Sequence, residues 1–172
     1  MTTGGAASTP DNWYFRDGGV PAGGPLVILD LDGVISNASH RQHFLRGERK
    51  NWRGFFTSAR LDPPYQTGLA LAASIDDGHT VAILTARPHY VVDTTRAWLA
   101  ANEVRHDLLI LRPRHGRGSG GPSADFKRHE LSRLRAAGFE VTLAIDDDER
   151  IIEMYRSEAI FALYTHSGYY ER

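Results

Sequence analysis

The chain has 172 residues, with 20 basic and 21 acidic side chains and a formal charge of −1, so no overall field draws it to nucleic acid or to a membrane surface and any such partner must be held by a local patch. It contains no cysteine, which excludes disulfides, thiolate zinc sites, iron-sulfur clusters and a cysteine nucleophile. The length suits one domain with a single sizeable core. The longest strongly apolar run, Leu69 to Ile75, is too short to span a bilayer, and the N-terminus lacks the basic-then-apolar order of a signal peptide. A soluble, cytoplasmic protein is expected.

Residues 1–25 hold six glycines and three prolines and show no hydrophobic period, so a flexible tail is expected, in which Trp13, Tyr14 and Phe15 pack back onto the body. From residue 26 to 172 short β-rich runs alternate with helical stretches, the pattern of a parallel sheet with helices on both faces. Strands are expected at Leu26 to Leu31, Thr80 to Thr85, Asp107 to Leu111, Val141 to Ile145 and Ala159 to Tyr164, each nearly continuous in apolar residues as a strand buried on both faces must be. Pro88 suits the first position of a helix running to about Asn102, with Val91, Val92, Thr95, Trp98 and Leu99 on one face. His115 to Ser123 reads as a mobile Gly-rich loop. Ser123 can cap a further helix that turns Leu131 and Leu134 inward and ends at a left-handed Gly138. Asp146 to Asp148 precede a last amphipathic helix, for which Asp148 is an obvious N-cap. The fold class is α/β: a three-layer, Rossmann-like parallel sheet of about five strands.

In such sheets ligands bind beyond the carboxyl ends of the strands, and right-handed crossovers bring those ends to one rim. The first strand ends in Asp30-Leu31-Asp32-Gly33, the second in Thr85-Ala86-Arg87 and the fourth in Asp146-Asp147-Asp148. Carboxylates converging there raise one another's proton affinity unless a cation holds them. Oxygen-only ligands favour Mg²⁺, which shares its shell with substrate phosphate. With Lys127, the rim offers a nucleophile, a proton donor, a metal site and cations for phosphoryl oxygens, the parts that phosphoryl transfer requires. Each part alone has a plain structural explanation: Asp32-Gly33 as a turn, the triple Asp as a helix cap, Thr85 as a strand residue, Lys127 as a solvated lysine. Their order and joint placement argue for a site.

These residues resemble the four motifs of the haloacid dehalogenase superfamily, in order across Leu26 to Tyr164. Within it the chain is most similar to the 3'-phosphatase domain of bacteriophage-type polynucleotide kinases, through LDLDGVISNASHR (Leu29 to Arg41), ILTARP (Ile83 to Pro88), DFKRHEL (Asp125 to Leu131) and LAIDDDERIIEMYR (Leu143 to Arg156). The resemblance implies that Asp30 is the nucleophile and Asp32 the general acid and base, with Thr85 and Lys127 on the transferring phosphoryl group. Asp30, Asp32 through its backbone carbonyl, and Asp146 would hold Mg²⁺, assisted by Asp147. Arg41 and Arg87, with Gly33 and His40, would lie around the substrate phosphate. It also implies a small cap formed by the insertion at about 36–66, where Trp52, Phe55 and Phe56 fall at helical spacing and are expected to pack inward. Asp148 stands where the kin carry arginine, and Ser123 where they place an acidic residue one turn before the lysine.

The function so implied is a Mg²⁺-dependent phosphomonoesterase acting on 3'-phosphate ends of DNA or RNA. The alternatives are a phosphatase of free nucleotides or small metabolites, a receiver-like signalling domain, and a non-catalytic phosphate-binding module. A receiver places its acidic pair first and its acceptor Asp in mid-chain, an order that this chain does not follow. Arg105, Arg112, Arg114 and Arg117 form a basic cluster able either to follow a nucleic-acid backbone or to stay solvated. No Gly-x-x-x-x-Gly-Lys-Ser/Thr loop occurs, so a kinase or ligase partner would be a separate polypeptide.

Overall fold

The structure is a computed structural model that describes residues 9–16, 18–19 and 23–170. Six strands, β1 (Trp13–Phe15), β2 (Gly24–Leu29), β3 (Thr80–Pro88), β4 (Leu108–Arg112), β5 (Phe139–Asp146) and β6 (Ala162–Tyr164), form one sheet in the order β1-β4-β3-β2-β5-β6. All neighbours run parallel except β1, which lies antiparallel on β4. Among the described residues the α-helices are α1 (Trp52–Thr57), α2 (Gln66–Ser74), α3 (Val92–Ala101), α4 (Ser123–Ala136) and α5 (Glu149–Ser157).

Because side chains alternate along a strand, the sheet feeds two cores. Leu26 and Ile28 of β2 join Leu84, Ile110, Phe126, Leu131 and Ile152 under α4 and α5. Val27 and Leu29 join Ile83, Leu109, Ala72, Trp98 and Leu99 under α2 and α3. This explains the continuous apolar runs of β2, β3 and β4, whose two faces are covered, whereas β5 is continuously buried only toward its end and β6, at the sheet edge, leaves Leu163 and Tyr164 exposed, contrary to the sequence expectation. α2 sits close enough that a Cβ added at Gly68 would meet the Val34 carbonyl oxygen at 2.2 Å.

β1 lies within the stretch expected to be a tail. It does not extend the parallel order, because it pairs on the outer edge of β4, where Trp13, Tyr14 and Phe15 face Ile110, Leu109 and Leu108. A buried carboxylate fastens it: Glu130 of α4 accepts from Trp13 Nε1 at 2.7 Å, Asn12 Nδ2 at 3.1 Å and Arg133 at 2.8 Å. The packing of these aromatics onto the body is as expected, whereas residues 1–8, 17 and 20–22 lie outside the described residues.

Several boundaries differ from the sequence expectation for local reasons. Pro88 does not start a helix; it is extended (φ −75, ψ 157) and closes β3, and a 3-10 turn at His89–Val91 intervenes before α3. The residue before a proline is pushed toward extended backbone, which keeps Arg87 in the strand. Ser123 does not cap α4: its hydroxyl accepts from the Arg112 guanidinium at 3.2 Å, and Pro122 takes the cap position. β6 begins at Ala162 rather than Ala159, because Ala159 turns left-handed (φ 59) just beyond α5. Asp148 caps α5 as expected, accepting from the Arg150 backbone N–H at 3.0 Å, and Gly138 is left-handed (φ 89) just beyond α4.

The basic cluster expected around the Gly-rich loop does not form one surface. Arg112 is buried and donates to the carbonyls of Gly118, Gly120 and Gly121, tying the loop down. Arg105 donates to the Asp76 carbonyl on another loop. No helix among the described residues is long and apolar enough to cross a membrane.

Gly68→Ala forces α2 away from the Val34–Ile35 backbone, and equilibrium urea unfolding should show a loss of about 1–3 kcal/mol with an unchanged m-value.

Candidate active site

β2 is flanked by β3 and β5, so the residues that follow or end these three strands meet at one rim. The Asp30 N–H donates to the Ile145 carbonyl at 2.9 Å, which sets the first acidic motif against the end of β5. Lys127, on α4 beneath that rim, reaches back with Nζ 2.5 Å from Asp30 Oδ1 and 2.6 Å from Asp146 Oδ2. Asp30, Asp146, Asp147, Lys127 and Thr85 are all buried. The Thr85 hydroxyl accepts from the Arg87 N–H at 3.2 Å.

Asp30, Asp146 and Asp147 each offer an oxygen within 4.8 Å of the others. Three carboxylates thus gather beside one ammonium, which pairs with Asp30 and Asp146. Burial pushes the Asp30 carboxyl well above its ordinary value; Lys127 opposes this, while Asp146, Asp147 and Asp32 reinforce it. Asp147 is pushed up to about 7, first by burial, then against a hydrogen bond from Ser167 and with the charge of Asp146. Lys127 keeps its proton more firmly than usual: burial works against the charge, but Asp146 and Asp30 outweigh it. The surplus negative charge and the unpartnered, buried Oδ2 of Asp147 fit a hard divalent cation with oxygen ligands. Gly33 makes room for this arrangement. It is left-handed (φ 92), and a Cβ there would overlap Asp147 Oδ2 at 2.0 Å, so the glycine expected at the substrate lies close against a metal-ligand candidate.

The second half of the site is an ion-pair network. Asp32 Oδ1 accepts from Arg41 at 2.6 Å and from Arg87 at 2.6 Å. Both arginines also reach Asp62, Arg41 at 2.7 Å and Arg87 at 3.2 Å, and Asp62 accepts further from the Ser36 hydroxyl and from His40 Nε2 at 2.8 Å. Burial raises the Asp32 carboxyl, but Arg87 and Arg41 outweigh it and hold it below its ordinary value. Arg41, Arg87 and His40, expected around a substrate phosphate, are therefore engaged by carboxylates. A fully buried guanidinium needs such a partner.

Asp62 was missed by sequence reasoning because Asp62-Pro63-Pro64 reads as a turn. Also missed was the C-terminal stretch that crosses the rim: the Thr165 N–H donates to the Asp146 carbonyl at 3.0 Å, and the Tyr169 hydroxyl accepts from the Ala38 N–H at 2.7 Å. Asp148, the departure from the resemblance, pairs with the Arg150 guanidinium at 2.7 Å, which returns a positive charge beside it.

The insertion adopts a 3-10 helix (Ser39–Leu45), α1 and a second 3-10 turn (Ser58–Leu61). Of its expected inward aromatics only Phe55 is buried; Phe56 is partly covered and Trp52 is 49% exposed. A six-residue helix has one buried stripe, and Phe55 takes it.

No protein-family model matches the chain, and no curated protein does. Solved structures do. A chain of the Pnkp1/Rnl/Hen1 complex is similar with a TM-score of 0.63 and 21% identity, over 93% of this chain and 51% of that one. The class C acid phosphatase from Bacillus anthracis, with tungstate bound, gives 0.56 and 14% over 90% and 70% of the two chains. A HAD-like phosphatase from Mesorhizobium loti gives 0.55 and 13% over 89% and 78%. This chain spans about half the length of the Pnkp1/Rnl/Hen1 chains that it resembles. With its parallel sheet, its acidic strand ends and these neighbours, the chain has the haloacid dehalogenase-like fold of such phosphatases.

Proposed function

We propose that the chain is a Mg²⁺-dependent phosphomonoesterase that works through an aspartyl-phosphate on Asp30 and takes 3'-phosphate ends of DNA or RNA. The observation that carries this reading is the convergence of Asp30, Lys127, Asp146 and Asp147 at the end of the central strands, beside the Thr85 hydroxyl. Support for a nucleic-acid substrate comes from the motif resemblance and from the likeness to a chain of what is described as an RNA repair complex. A kinase or ligase acting on the same ends is the partner that this reading implies.

Asp30, Asp146 and Asp147, with the Asp32 backbone carbonyl, would hold Mg²⁺. A bound Mg²⁺ offsets the repulsion between carboxylate and phosphate. Lys127 holds Asp30 in place from one side, and with Thr85 it binds phosphoryl oxygens as charge shifts onto them. An Asp30 oxygen attacks phosphorus in line and the bond to the leaving sugar oxygen breaks. Asp32 gives that oxygen a proton, then removes one from the water that cleaves the acyl phosphate. A carboxylate clamped by two guanidinium groups is a poor acid. Incoming phosphate that draws Arg41 or Arg87 toward itself raises the proton affinity of Asp32 as the leaving oxygen needs its proton.

Asp30→Asn should lower phosphate release by about a thousandfold or more, while the chelated variant melts no lower than the parent because one crowded carboxylate is gone. A thermal scan beside a phosphate assay checks both.

Asp147 binds its proton more tightly in the folded chain than an ordinary aspartate does, its pKa rising from 3.8 to about 7. The stability tied to that proton is present below the lower value and is lost as pH rises through the upper one. Chelated protein should therefore melt at a lower temperature at about pH 8 than at about pH 5.5, and added Mg²⁺ should raise the melting temperature more at the higher pH. Equal Mg²⁺ shifts at both would contradict the assignment of these carboxylates as ligands.

On substrate, release from 3'-phosphorylated oligonucleotides should exceed release from 5'-phosphorylated ones and from nucleoside monophosphates by about tenfold or more in kcat/KM. A reversed order would point to free nucleotides.

A further inference from the structure

The insertion carries an exposed feature that the catalytic chemistry leaves unused. Arg46, Arg49, Lys50, Arg53 and Arg60 are exposed there against a single exposed acid, Glu48. Among the described residues none of these five cations is in an ion pair. By contrast Arg128 and Arg135 of α4 pair with Glu158, and Arg150 of α5 pairs with Asp148. A chain with a formal charge of −1 has therefore gathered unpaired positive charge on one small element.

Exposed rings lie among these cations. Trp52 is 49% and Tyr90 54% exposed. Lys50 Nζ lies 5.7 Å from the Trp52 ring centroid, and the Arg53 guanidinium lies 5.8 Å from that of Tyr90, which bridges α1 to the turn after β3. Trp52 is backed by Phe56, stacked at 5.9 Å and 21°, which fixes its plane. The patch also adjoins the site. Phe55 packs edge-on against Trp52 at 6.1 Å, the Arg41 guanidinium lies 4.1 Å over Phe55, and Arg41 contacts Asp32. Tyr90 follows Thr85 and Arg87 by only a few residues.

We propose that Trp52 and Tyr90, with Arg46, Arg49, Lys50 and Arg53, bind single-stranded nucleic acid and lead its 3' end to Asp30. Rings stack on bases irrespective of sequence, and neighbouring cations follow the phosphates. Lys50 covers its ring only through a flexible stem and moves onto a phosphate when a base takes the face. The polyanion is favoured over a mononucleotide because Phe55 and Arg41 stand between Trp52 and Asp32, so a ligand on both the ring and the carboxylates must be longer than one nucleotide. The inference rests on the phosphatase reading only for what the bound end presents to Asp30; strand binding itself needs no turnover.

The test is fluorescence anisotropy of the full chain with a 3'-hydroxyl single strand of about 12 nucleotides, DNA and RNA in parallel, with chelator present so that no hydrolysis intervenes. Binding of either strand, weakened about tenfold in Trp52→Ala and restored in Trp52→Phe, is the expected result. Lys50→Ala combined with Arg53→Ala should reduce the slope of log affinity against log salt by about 1.4. Tyr90→Ala, at an exposed position outside α1, gives an independent loss if the Trp52 variants fold poorly. No binding of either strand would overturn the proposal, as would affinity unchanged in both Trp52→Ala and Tyr90→Ala or displacement by polyglutamate as effective as by oligonucleotide. Because no phosphate is released in this assay, loss of strand binding is distinguishable from loss of phosphatase activity.

Discussion

The site depends on an imbalance of charge: three carboxylates, from Asp30, Asp146 and Asp147, are held within reach of one another beside the single ammonium of Lys127. In water such a group would disperse. Here the parallel strands place the backbones, and α4 brings the lysine from the opposite side, so the repulsion persists as raised proton affinity on Asp30 and Asp147. The same surplus makes the cluster receptive to a divalent cation.

A second network balances where the first does not. Arg41 and Arg87 face Asp32 and Asp62, two guanidinium groups against two carboxylates, all closely packed. Asp62 comes from the insertion and Arg87 from the end of β3, so the network joins the insertion to the sheet. It also sets the orientation and low proton affinity of Asp32. Buried pairs of this kind contribute little net stability but tolerate no loss of a partner, which makes the network a device of geometry more than of strength. The same insertion turns its remaining cations and Trp52 to solvent, so one short segment holds Asp32 through Arg41 on one side and presents exposed positive charge on the other.

Much of this was legible in the chain. Continuous apolar runs marked β2, β3 and β4, since a strand covered on both faces has no polar side to show, whereas β6 is an edge strand that leaves Leu163 and Tyr164 exposed. The strand-end rule then placed Asp30, Thr85 and Asp146 at one rim, and the structure brings them there with Lys127. β1 was not legible as a strand: three aromatics amid glycines and prolines carry no period, and only an unfilled edge of β4 and the Glu130 carboxylate give them a place. The start of α3 was misplaced because a proline at a strand end and one at a helix start look alike until the neighbouring strand is known.

The sequence by itself determined the α/β class, the order of the acidic, hydroxyl and lysine groups, and hence the chemistry available, because these follow from local pattern and residue type. Only the tertiary structure decided which charges meet. It turned Arg41, Arg87 and His40 toward Asp62, placed Gly33 against Asp147, and left Trp52 exposed while Phe55 was buried. Those outcomes depend on which backbones lie within a few ångströms of one another and on the need of every buried charge for a partner, and neither is written in the spacing of residues along a chain.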